Sequence, residues 1–133
     1  MKTVFITLSF VFSSIVSFSQ TAEKLISSGI EKFDEDNFAG AIEDFSKVIE
    51  NDVTNPEAFF RRGVAKVMID DFAGAISDYS KAIEINPNYS EAYYKRGLVK
   101  VLQNDKTGAC EDYQTAGKLG YLVALDLVKV YCK

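Results

Sequence analysis

A 34-residue period runs through most of this chain and constrains its fold more than any other feature. Glycine, alanine, aspartate and an aromatic residue each recur at that interval. The recurring sets are Gly29, Gly63 and Gly97; Gly40, Gly74 and Gly108; Ala41, Ala75 and Ala109; Asp44, Asp78 and Asp112; and Phe45, Tyr79 and Tyr113. Such a period is typical of proteins built from stacked units, because a single unit cannot bury its apolar face alone.

Each unit contains two apolar stripes with helical spacing, separated by a short polar turn. Phe59, Gly63 and Val67 share one helical face of the second unit, for example. Asn55 followed by Pro56 is typical of a helix start, and Gly120 of a helix end. The predicted helices are 22–35, 38–50, 56–69, 72–84, 90–103, 106–118 and 121–132.

These residues resemble the tetratricopeptide repeat (TPR) family. The second unit has the family's full set of aromatic, small and proline positions, namely Phe59, Gly63, Phe72, Ala75, Tyr79, Ala82 and Pro87. The outer units depart from it, since Lys106 replaces an aromatic residue and Val48 replaces a small one. Departures at the ends are expected, because stacking stops there.

The resemblance implies an all-α fold: a right-handed superhelix of three stacked helix–turn–helix units plus a C-terminal capping helix. The units would be residues 22–55, 56–89 and 90–120, and the capping helix would be residues 121–132. The first helices of the units would line a concave groove, which is the usual ligand surface in the family.

The expected groove is apolar and edged by acids. The residues expected to line it are Ile26, Ile30, Phe60, Val64, Tyr94 and Leu98. Phe60 and Tyr94 are the expected anchors, and acidic residues such as Glu57 and Glu91 would favour a partner with basic flanks. The alternative is that the same stripe is core, covered by neighbouring helices or a second copy. Some family members grip a C-terminal carboxylate here, but only Arg61 and Lys95 resemble that clamp.

Arginine occupies an inner position of the second and third units, where an apolar residue is usual in the family. Because the first unit has Ser28 there and still keeps Asp44, we expect each arginine to pair with the aspartate of the preceding unit. The expected pairs are Arg62–Asp44 and Arg96–Asp78. The alternative is two exposed arginines.

Cys110 and Cys132 are the only cysteines. They lie at similar distances from the Gly120 turn, on two helices expected to be antiparallel. The choice is between two separate buried thiols and one disulfide, and export with an even cysteine count favours the disulfide.

Residues 1–19 read as a signal peptide, with Lys2, an apolar stretch over 4–16, and Ser17 and Ser19 before a cut at Gln20. The alternative is a retained anchor, although the apolar stretch is short for a bilayer span. Cleavage predicts a mature protein without a membrane span, in the periplasm or secreted.

Composition narrows the function. The chain has no histidine, which removes the commonest general base and nitrogen metal ligand. The formal net charge of −4 argues against nucleic acid. We therefore expect neither an enzyme nor a cofactor or metal, but a scaffold that binds a partner protein or peptide. The alternative is a structural or assembly protein of the cell envelope that forms homo-oligomers through the same groove.

Overall fold

The protein is an all-helical stack in which each repeat contributes an antiparallel helix pair. The computed structural model describes the backbone of residues 4–133 and the side chains from residue 19 onward. The described elements are α1 Val4–Asp34, α2 Phe38–Asn51, α3 Pro56–Met68, α4 Phe72–Ile85, α5 Ser90–Leu102, α6 Lys106–Lys118 and α7 Val123–Tyr131. The described residues contain no strand.

The helices predicted after residue 36 are confirmed, and their ends agree to within two residues. The first one is longer than predicted. It begins at Val4 rather than at residue 22 and continues without interruption into the first repeat. No glycine or proline lies between residues 4 and 28, so the backbone meets no local stop signal there. The side chains of the predicted signal peptide, apart from Ser19, lie outside the described residues.

The second helices of the three units share one type of N-terminal cap. A side-chain oxygen just before the helix accepts a hydrogen bond from the backbone N–H of the glycine three residues later. The pairs are Asn37 with Gly40, Asp71 with Gly74, and Asp105 with Gly108, at 2.9–3.0 Å. Asn55 caps α3 likewise, at 3.1 Å from the Ala58 nitrogen, and Pro56 lies in the first turn as predicted.

Close approach of the two helices in a unit depends on glycine. A Cβ atom added to Gly63 would lie 2.9 Å from Cε1 of Tyr79 and 3.3 Å from Cβ of Asp78. Gly97 meets Tyr113 in the same way, at 2.7 Å. The repeated glycine therefore lets α3 and α5 pack directly on the aromatic ring of the next helix.

The aspartates of the repeat are buried and ion-paired, but the predicted pairing was wrong. Arg62 binds Asp78 through two hydrogen bonds of 2.8 Å, and Arg96 binds Asp112 at 2.9 and 2.7 Å. Each arginine therefore pairs with the aspartate of its own unit rather than that of the preceding unit. The partners are 16 residues apart because α3 and α4, like α5 and α6, run side by side as a hairpin.

The arginines nevertheless contact the preceding unit. Nη1 of Arg62 donates to Oγ of Ser46 at 3.1 Å, and Nη1 of Arg96 donates to Oγ of Ser80 at 3.0 Å. A lysine one turn further along each first helix also reaches the aspartate. These contacts are Lys32–Asp44, Lys66–Asp78 and Lys100–Asp112, at 2.7–3.0 Å. Each buried carboxylate is thus matched by at least one cation.

The first unit has a serine in place of the arginine, yet its buried aspartate is still hydrogen-bonded and ion-paired. Ser28 donates a hydrogen bond to Oδ2 of Asp44 at 2.7 Å, and Lys32 lies 2.7 Å from the same oxygen. Burial by itself would raise the pKa of Asp44. The hydrogen bonds from Lys32 and Ser28 outweigh that effect, so the pKa of this carboxyl lies below its usual value.

At the C-terminal end, α7 packs on α6 and covers the last repeat. The Tyr131 ring lies 5.8 Å from the ring of Tyr113, which is fully buried. Cys110 of α6 and Cys132, which follows α7, form a disulfide with their Cα atoms 5.3 Å apart. The bridge and the tyrosine contact together fasten α7 to the stack.

Candidate peptide-binding groove

The first helices of all three units line one groove, which encloses about 270 Å³. Its lining comes from α1, α3 and α5, with one ring from α2. The lining residues are Ile30, Phe33, Asp34, Phe45, Phe60, Arg61, Val64, Glu91 and Lys95. The helices are brought together because each unit stacks on the next, so residues far apart in sequence meet on this surface.

The floor of the groove is apolar. Ile30 and Phe33 come from α1, and Phe60 and Val64 come from α3. A concave surface with an apolar floor and a few polar groups at its edge is the usual form of a binding site.

Ion pairing neutralises some of the rim charges and leaves others available. Nε of Arg61 donates to Oε1 of Glu57 at 2.7 Å, so these two charges cancel. Glu91 and Lys95 lie one turn apart on α5, and neither takes part in an ion pair with any described residue. Asp34, at the opposite end of the lining, is exposed. The unneutralised rim charges are therefore two acids and one base.

Two partly buried tyrosines beside the groove have raised pKa values. The Tyr89 ring packs against the Phe60 ring with centroids 4.9 Å apart. Burial, followed by the nearby carboxylates of Glu57 and Glu91, raises the pKa of Tyr89 to about 12. Burial and the same Glu91 carboxylate also raise the pKa of Tyr121. These hydroxyls stay protonated at neutral pH and do not act as bases.

The structure brings three of the six predicted groove residues together. Ile30, Phe60 and Val64 line the groove. Ile26 instead packs against the central core, to which all three units contribute. Tyr94 and Leu98 pack against the C-terminal core, where the Tyr94 ring lies 4.7 Å from the Tyr121 ring. The groove is therefore shorter than the predicted stripe.

Phe60 is less available than an anchor residue requires. Only 8% of it is exposed, and its ring also contacts Tyr79 at 5.7 Å between centroids. The Phe60 ring is therefore part of the core beneath the groove, and it presents little surface to a partner.

Phe45 was missed because its position in the repeat reads as a core aromatic. From the sequence alone, Arg61 and Lys95 are related only to a carboxylate clamp. Their 34-residue spacing is the signal that could have placed both in the groove lining.

Fold and groove together define a helical-repeat protein with an open inner surface. No helix within the described residues is both long and apolar enough to span a membrane. The described side chains also include no cluster of three or more metal-ligating residues.

Comparison with known proteins supports assigning the repeats to the tetratricopeptide type. A family model described as "TPR repeat" matches residues 70–104, and another, described as "Tetratricopeptide repeat", matches residues 91–119. No curated protein sequence matches the chain.

Several solved structures, including two TPR domains, share the fold. The first TPR of Spaghetti (RPAP3), bound to the HSP90 peptide SRMEEVD, is 27% identical with a TM-score of 0.81, covering 86% of this chain and 92% of that one. The structure of MamA is 28% identical with a TM-score of 0.79, covering 90% of this chain and 72% of that one. The first TPR domain of human RPAP3 is 25% identical with a TM-score of 0.78, covering 84% and 90%.

Proposed function

We propose that this protein is a non-catalytic scaffold that holds a segment of a partner protein in the groove formed by α1, α3 and α5. The observation that carries the proposal is the apolar floor of Ile30, Phe33, Phe60 and Val64, bordered by unneutralised charges. A similar domain, the first TPR of Spaghetti (RPAP3), is bound to a peptide, which supports peptide binding as the role of this surface.

The preferred segment is apolar with a basic flank. Two of the three unneutralised rim charges are acidic, namely Asp34 and Glu91, and the third is Lys95. The peptide SRMEEVD bound by the similar domain carries three acidic residues. Long-range repulsion from the rim acids would disfavour such a peptide here.

The test is a comparison of two labelled peptides by fluorescence anisotropy. One is SRMEEVD, and the other has the same length with lysine in place of its three acids. We expect the lysine peptide to bind more tightly, and Glu91→Lys to weaken it by roughly tenfold, a loss of about 1.4 kcal/mol. Glu84→Lys is the matched control, because Glu84 is exposed on α4 and outside the groove lining.

Tighter binding of SRMEEVD would contradict the proposed charge preference. Equal loss for the Glu84 and Glu91 variants would remove the groove as the site. Self-association through the groove is the competing function, and it would appear as a dimer that the lysine peptide dissociates.

We also propose that the protein acts outside the cytosol, in the periplasm or as a secreted protein. The support is the signal-like segment over residues 1–19, together with a cysteine pair suited to an oxidising compartment.

A further inference from the structure

The outer face of α7 is apolar although this helix closes the end of the stack. Leu122 is 71% exposed, Val130 63% and Val123 58%. The end elements of repeat proteins usually present a polar outer face, because nothing stacks on them. Exposed apolar side chains gathered on one short helix therefore indicate a surface that is covered by a partner.

The same face carries one acid and one base in a self-complementary order. Asp126 and Lys129 lie among these apolar side chains, and their charged atoms are 2.9 Å apart. Their side chains are 78% and 75% exposed, so both charges remain accessible. When a second α7 packs antiparallel about a two-fold axis, each Lys129 faces Asp126 of the other copy.

One register brings the charged residues of the two copies side by side. A two-fold axis level with the middle of the 127–128 peptide places residue 126 opposite residue 129 of the other copy. Leu125 is not part of this contact, because its side chain packs against Gly117 of α6. The inner side chains of α7, such as Ala124 and Tyr131, stay packed on the last repeat. No change in the stack is needed for this contact.

We propose that two copies of this chain associate through the outer faces of α7, as an antiparallel, two-fold symmetric helix pair. The Asp126–Lys129 pairs of both copies then form one four-charge cluster, flanked by Leu122, Val123 and Val130.

The proposed dimer differs from one that closes the groove. The groove lining contains no residue of α6 or α7, so both copies keep it open. Two grooves on one particle give bivalent binding, and a partner with two suitable segments is held far more tightly than by one groove.

The test is sedimentation equilibrium of the purified full chain, over about 10–500 µM because a contact between two short helices is weak. We expect a monomer–dimer equilibrium. Asp126→Lys and Lys129→Asp should each raise the dimer Kd by about tenfold or more, since each replaces attraction with repulsion. The double variant D126K/K129D restores the opposite-charge pairing and should return the Kd to within about threefold of the starting value.

Lys81→Glu is the matched control, since Lys81 and Glu84 form another exposed i,i+3 pair, at 3.1 Å. We expect it to leave the Kd unchanged. Val130→Lys tests the apolar part and should give a monomer whose thermal midpoint, measured by circular dichroism, is unchanged because Val130 is exposed.

Three results would each overturn the proposal: a monomer throughout the concentration range, a dimer insensitive to Val130→Lys and both charge reversals, or failure of the double variant to recover. A dimer that is lost with Val64→Lys in the groove but kept with Val130→Lys would place self-association elsewhere.

Discussion

At the scale of single residues, the buried aspartates are the most demanding groups in the molecule. The Asp78 side chain is 4% exposed and lies within 3.0 Å of both Arg62 and Lys66. Charges removed from water are tolerated only when they are paired and hydrogen-bonded. The arginines also lie over aromatic rings, with Arg62 5.6 Å from the centre of Phe59. A lysine at that position could not make the two-pronged contact with Asp78 and still bind Ser46.

Removing one partner of such a pair leaves the other cations buried and uncompensated. We expect Asp78→Ala to lower the free energy of unfolding by about 3–5 kcal/mol. The matched control is Glu57→Ala, which breaks an exposed pair with Arg61 and should cost below about 1 kcal/mol. Urea unfolding of both variants is the measurement. Similar small losses for the two would mean that burial does not govern the Asp78 pair.

The sequence identified the residue types in these pairs but not their partners. The 34-residue period marks Asp78 and Arg62 as special, yet it is equally consistent with pairing within a unit and between units. The choice depends on which helix faces lie side by side, and that is set by the tight hairpin of α3 and α4. Lys32, Lys66 and Lys100 were overlooked because lysine at the same interval reads as an ordinary solvated position.

At the scale of helices, the elements were largely predictable because their signals are local. Capping residues, apolar spacing and Gly120 each act within a few residues of the helix end that they specify. Gly120 has a φ of 96°, which few other residues adopt, and Tyr121 donates its backbone N–H to the carbonyl of Ala116. The start of α1 was not predictable by these rules, because the segment before residue 22 has no stop signal.

The disulfide makes the attachment of α7 testable as an element. Cys110 and Cys132 are separated by 22 residues. Closing a loop of that size contributes roughly 3 kcal/mol when unstrained. Reduction should therefore lower stability by about that amount, and Cys132→Ser should do the same under oxidising conditions. Urea unfolding with and without dithiothreitol measures the loss.

Hydrogen exchange would show which helices become less stable when the disulfide is reduced. Amides of α7 should exchange faster after reduction, because the helix then rests only on contacts such as that between Tyr131 and Tyr113. Amides of α3 and α4 serve as the internal control and should change little. Equal acceleration throughout the stack, or no loss of stability on reduction, would show that the bridge does not hold α7 in place.

At the scale of the whole molecule, the groove forms because the three units stack. The sequence pattern of one unit therefore does not predict how long the groove is. Periodicity places Ile30 and Val64 on an inner face, and both do line the groove. The same periodicity also places Tyr94 on the inner face. In the structure, however, Tyr94 packs against Tyr121 in the C-terminal core. Position in the repeat therefore predicts the side of a helix, whereas the length of the open groove depends on what packs at its ends.

Export through a cleaved signal peptide would leave the repeat stack intact. Cleavage before Gln20 would leave residues 20–34 of α1, which include Ser28, Ile30 and Lys32. The ion pair to Asp44 and the α1 side of the groove would thus be retained. An oxidising compartment would also allow Cys110 and Cys132 to join.

We therefore expect the protein isolated from cells expressing the full chain to begin at Gln20 and to contain no free thiol. Intact mass before and after thiol alkylation measures both properties on one sample. Ser19→Leu should block processing, because signal peptidase requires a small residue before the cut. Ser27→Leu is the matched control, since Ser27 is exposed and lies beyond the cut. A cytosolic product that starts at Met1 and has two alkylated cysteines would contradict the proposed location.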